Sequence, residues 1–137
     1  MHKVFIDSNI LLAAIFTELK GSYPSLIINF GNSKFFELYI SNLVEIEVRK
    51  NLLIKKPEKL PLLEEVLKYF HKLRDIYVPL NEIQNLPEAD KIILSTAIYN
   101  KMDFFITGNT KDFKHLYGKK IIKTMILKPK EFFEINI

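Results

Sequence analysis

The feature that most constrains this chain is an alternation: short β-branched and aromatic runs recur between segments with helical apolar spacing. Residues 3–6 (KVFI) read as a buried strand that stops at Asp7, and Ser8 and Asn9 suit the start of a helix over residues 10–16. Residues 25–30 read as a second helix ending at Gly31, and residues 35–40 (FFELYI) as the second strand. Ser41 or Asn42 caps a helix reaching Lys55, while Leu63, Val66, Leu67, Phe70 and Leu73 predict another over residues 62–74. Residues 75–79 (DIYVP) are expected as the third strand. Pro87, Glu88 and Asp90 open a helix, because proline and acids suit the unpaired amides of a first turn. Residues 104–107 (FFIT) form the fourth strand, a fifth lies within residues 121–127, and Pro129 begins a short terminal helix.

Strands that alternate with helices imply an α/β fold, with a parallel sheet, helices on both faces and right-handed crossovers. Ligands of such folds collect beyond the carboxyl ends of the strands, near the point where strand order reverses. At 137 residues and 48% hydrophobic content the chain is read as one domain, residues 1–137, able to bury a core. Cysteine is absent, which excludes disulfides and thiolate metal sites and fits a cytoplasmic location. No apolar stretch approaches the roughly 20 residues of a membrane span, and Asp7 interrupts the first apolar run, so neither a membrane role nor a signal segment is expected. A net charge of +4 permits an anionic partner without specifying one.

Within this basic chain four acids stand at comparable places. Asp7 ends the first strand, Glu47 lies one turn into the helix after the second, Asp90 opens the helix before the fourth, and Asp112 follows the fourth in the segment TGNTKDF. Carboxylates gathered at one mouth repel one another, and some take up protons unless a cation compensates. Oxygen ligands select hard cations, so Mg²⁺ or Mn²⁺ is the expected cofactor. A hydrated divalent ion suits phosphodiester cleavage, since it acidifies bound water and stabilises charge on phosphoryl oxygens. Arg49 and Lys50, on the Glu47 helix, are the candidates for contacts to substrate phosphates.

VFIDSNILLAAI (residues 4–15) resembles the opening of a PIN domain, with an Asp-(Ser/Thr)-Asn turn after an apolar strand. The resemblance continues through SNLVEIEVRKNL (41–52) and ADKIILSTAIYNKMDFFITGNTKDF (89–113), in the same order. It implies a three-layer α/β/α fold with a five-stranded parallel sheet in the order 3-2-1-4-5, and a Mg²⁺- or Mn²⁺-dependent ribonuclease site. Asp7, Glu47 and Asp90 are similar to the family's three core acids, Asn9 to the polar residue that orders the first, and Thr107 to the hydroxyl ending the fourth strand. Many members carry an acid directly after the Thr-Gly pair, where this chain has Asn109, so Asp112 is the expected fourth carboxylate. Many bacterial and archaeal relatives are VapC-type toxins, which makes RNA the expected substrate, a small antitoxin the expected partner and a homodimer the expected assembly.

Each residue also has a plainer reading. Asp7 suits helix capping, Asp90 complements a helix dipole, Asp112 is an acceptable loop acid, and Thr107 and Asn109 suit a turn. Glu45 lies about 200° around the helix from Glu47, so only one of them faces the mouth. His2, His71 and His115 show no ligand spacing. Two other functions stay open: phosphoryl transfer through an aspartyl phosphate on Asp7, and a non-catalytic RNA-binding or scaffold module.

Overall fold

The structure, a computed structural model, describes residues 1–31 and 35–135. Its strands are β1 (His2–Ile6), β2 (Phe36–Ser41), β3 (Phe70–Leu73), β4 (Phe104–Ile106), β5 (Lys120–Ile121) and β6 (Thr124–Leu127). The helices are α1 (Ser8–Phe16), α2 (Tyr23–Phe30), α3 (Asn42–Lys55), α4 (Leu60–Leu67), α5 (Glu88–Tyr99), α6 (Thr110–Phe113) and α7 (Pro129–Glu134). One sheet runs in the order β3-β2-β1-β4-β6-β5, and every pair is parallel except β5 with β6. The expected 3-2-1-4-5 sheet is therefore present, with β6 as its fifth strand and β5 added as a short antiparallel edge. Val4, Phe5 and Ile6 are all inaccessible to solvent. Successive strand residues point to opposite faces, so helices must cover both sides of β1.

Two aromatic contacts carry the core toward the carboxyl edge. Phe5 and Phe105 are register partners on β1 and β4, and their rings stack at 5.5 Å. Phe105 also meets the buried ring of Phe113 at 5.5 Å, which anchors α6 beneath the end of β4. Asn109 caps α6, its side-chain oxygen accepting from the Asp112 amide at 3.3 Å, so residues 110–113 form a helical turn where the sequence suggests a loop.

The third strand lies earlier than expected. Residues 70–73, predicted as the end of a helix, are β3, and residues 75–79 belong to no strand. The spacing of Phe70 and Leu73 continues the helical pattern, whereas in a strand it puts the two side chains on opposite faces, so periodicity favours a helix and pairing with β2 overrides it. The DIYVP segment hydrogen-bonds to α5 instead: the Ile76 amide donates to Thr96 Oγ1 at 3.0 Å, and Ser95 Oγ donates to the Val78 carbonyl at 3.3 Å.

Candidate active site

Asp7 follows β1 at its carboxyl edge, between β2 and β4, where the order of the sheet reverses. It is 2% exposed. Oδ1 accepts from the Ser8 amide at 2.8 Å and caps α1, as the plainer reading expects. Oδ2 accepts from Thr107 Oγ1 at 2.7 Å and from Asn9 Nδ2 at 3.0 Å. Asn9 reaches on to β4, its Oδ1 accepting from the Gly108 amide at 2.7 Å. A side chain at residue 108 would meet that oxygen at 3.1 Å, so the close approach favours glycine. Burial raises the Asp7 pKa to about 6, against the lowering effect of Thr107 and the Ser8 amide and with further raising by the Glu47 charge.

The other acids arrive on separate elements. Glu47 faces Asp7 from α3, with Oε1 accepting from Ser8 Oγ at 2.9 Å. Glu45 turns away, toward Arg49 at 2.7 Å and Lys72 at 3.1 Å. Asp90, in the first turn of α5, is pushed up to about 7, first by desolvation and then by the charges of Asp7, Asp112 and Glu47. Asn109 Nδ2 donates to Asp112 Oδ2 at 2.9 Å and lies 3.5 Å from Asp90 Oδ2, so one amide bridges the two acids. Thr107 Oγ1 accepts from the Asn109 amide at 3.1 Å. Four polypeptide segments thus bring Asp7, Glu47, Asp90 and Asp112 within electrostatic reach of one another.

Two contributors escaped the sequence reading. Ser8 orients Glu47, a role hidden behind its suitability as a capping residue. Tyr117, whose hydroxyl donates to the Thr107 carbonyl at 2.9 Å, stands ten positions beyond the strand it braces and carries no motif. Arg49 is committed to Glu45 and Glu64, while Lys50 is exposed. A cavity of about 510 Å³, lined by Phe30, Phe36, Phe132 and Phe133 among others, opens at the amino ends of β1 and β2, away from these acids.

The donor set is oxygen only, which fits a hard divalent cation. Among the described residues no group of three or more His, Asp or Glu side chains is arranged as it stands to hold a metal ion. Asp7 has both oxygens occupied by donors of the chain, and Glu47 and Asp112 one each. What fits a cation is the charge left over: Asp90 has a single long amide contact and three acidic neighbours.

Fold and site together define a three-layer α/β domain with a carboxylate-lined mouth at the carboxyl edge of its sheet. The chain belongs to the PIN domain family, whose model matches residues 3–111. That span contains Asp7, Glu47, Asp90, Thr107 and Asn109 and stops one residue before Asp112. Similar solved structures include VapBC2 from Rickettsia felis bound to a DNA fragment from its promoter, at 18% identity and TM-score 0.68, over 92% of this chain and 98% of that chain. VapBC-1 from nontypeable Haemophilus influenzae is similar at 16% identity and TM-score 0.61, over 93% and 98%. At such identities the likeness is one of fold. A search of curated protein sequences returned no match.

Proposed function

We propose that this protein is a divalent-cation-dependent endoribonuclease that hydrolyses phosphodiester bonds through Asp7, Glu47, Asp90 and Asp112. The observation that carries the reading is Asp90, a half-buried carboxylate whose proton affinity is raised first by desolvation and then by the charges of three other acids gathered at the same sheet edge. Asp7, Glu47 and Asp90 are the residues that would hold Mg²⁺ or Mn²⁺, with Asp112 in the position vacated by the amide at Asn109. Such a cation, when bound, acidifies water and stabilises charge on the phosphoryl oxygens. Asn9 and Thr107 orient Asp7, and Ser8 orients Glu47. Lys50 is the candidate on α3 for a phosphate contact, since Arg49 is already paired.

The two similar structures are VapBC assemblies, which supports a role as the toxin of a type II toxin–antitoxin pair with a small antitoxin as partner. A homodimer is the proposed assembly: α3 exposes Ile46, Leu53 and Ile54, seven and eight positions apart and so on one face. Among the described residues no helix is long and apolar enough to cross a membrane, in keeping with action on RNA in the cytoplasm.

The test is cleavage of labelled single-stranded RNA with Mn²⁺ or Mg²⁺, beside EDTA controls and the Asp7→Asn and Asp90→Asn variants. Cation-dependent cleavage lost in both variants supports the reading. Absence of cleavage together with absence of cation binding favours a non-catalytic scaffold.

A further inference from the structure

We propose that Lys128, seated on the ring of Tyr117, is the cation that receives a substrate phosphate beside the carboxylate mouth. The inference rests on the nuclease reading and assigns a part of its substrate track.

The placement follows from strand register. Ile6 on β1 pairs with Ile106 on β4, and Ile106 pairs with Leu127 on β6. The next residue on each strand is Asp7, Thr107 and Lys128, one row across the carboxyl edge. The ladder continues into that row, since the Asp7 amide donates to the Ile106 carbonyl and the Thr107 amide to the Leu127 carbonyl, each at 3.0 Å. Lys128 therefore stands two strand spacings from Asp7, roughly 10 Å along the backbone edge. A chain of phosphates crossing the acids passes over it.

Several cations near charged groups are already paired, and Lys128 is set apart from the unpaired ones by its place in that row and by its aromatic seat. Lys91 pairs with Glu88, Lys72 with Glu45, Lys123 with Asp103, and Arg49 with two glutamates. Lys128 is exposed, and among the described residues its ammonium has no carboxylate in ion-pair contact; it lies 5.1 Å from the centroid of the Tyr117 ring. The nearby Glu131 is turned to the backbone, accepting from the Lys128 amide at 2.9 Å. An aromatic face holds a lysine by attraction to the ring while leaving its three donors free, and it lowers the entropy lost when a phosphate is bound. Tyr117 has its hydroxyl on the Thr107 carbonyl, so the same side chain supports the phosphate contact and the strand end that orients Asp7.

The test is binding of fluorescein-labelled single-stranded RNA in EDTA, where no cleavage occurs, measured by anisotropy from 50 to 300 mM salt. Lys128→Ala is expected to weaken binding about 3- to 10-fold and to lower the slope of log K against log salt by about 0.7, the value of one phosphate contact on a single strand. Lys128→Arg keeps the slope. Lys123→Ala, at the opposite end of β6, removes the same charge and leaves the slope unchanged. A Lys128→Ala slope equal to that of the unsubstituted protein overturns the assignment, and cleavage by the unsubstituted protein then leaves the nuclease reading standing. Absence of RNA binding by the unsubstituted protein at 50 mM salt also overturns the assignment, whereas absence of cleavage with Mn²⁺ or Mg²⁺ overturns the nuclease reading.

Discussion

Thr107 donates a 2.7 Å hydrogen bond to Asp7 across 100 positions of sequence, and both groups are buried. The bond is one of the few influences holding the Asp7 proton affinity down against desolvation. It also joins the ends of β1 and β4 through side chains, one row beyond the last register pair, Ile6 with Ile106.

Replacing Thr107 by Val removes that donor while keeping shape. The Asp7 pKa then rises further above about 6, and divalent-cation affinity at pH 7.5 falls by about tenfold or more. Stability drops by roughly 1–3 kcal/mol, because a buried carboxylate loses a partner. Thr107→Ser restores both. Manganese titration and urea unfolding measure the two effects.

Asp7 and Asp90 have folded pKa values near 6 and 7, above the ordinary 3.8. Between those limits the native state binds more protons than the unfolded chain, so stability falls as pH rises. Glu18 and Glu45 are held low by basic partners, and their stabilising effect is complete above about pH 5. Thermal unfolding in EDTA is therefore expected to show a lower Tm at pH 7.5 than at pH 5, by a few degrees. Asp90→Asn is expected to flatten that fall and to raise the Tm at pH 7.5 by roughly 2–5 °C, about 1 kcal/mol after allowance for solvent screening.

Much of this architecture is legible before any coordinates. The positions of Asp7 and Thr107 stand out because each follows an apolar run too short to be anything but a buried strand. The α3 and α5 starts are marked by Ser41 and by Pro87 with its acids. The third strand is not legible, because Phe70 and Leu73 continue a helical spacing and the strand is made by pairing with β2, a long-range contact. The same applies to Ser8 and Tyr117, whose partners are 39 and 10 positions away.

The displaced DIYVP segment has its own test. Thr96 is inaccessible to solvent, and its hydroxyl receives the Ile76 amide that a strand would have paired. Thr96→Val leaves that amide without its partner and is expected to cost about 1–3 kcal/mol in chemical denaturation. An unchanged midpoint would mean the segment is held by its apolar side chains alone.

Asp7 at the end of β1, Glu47 on α3, Asp90 on α5 and Asp112 on α6 are proposed to share one cation, and Mn²⁺ binding followed by electron paramagnetic resonance reads this without reference to turnover. Saturable binding is predicted for the unsubstituted protein at pH 7.5, weakened at least tenfold in Asp90→Asn and again in Asp7→Asn, with Asp112→Asn weakened less. Equal Mn²⁺ affinity in all four proteins, or none in any, would rule out a shared cation site.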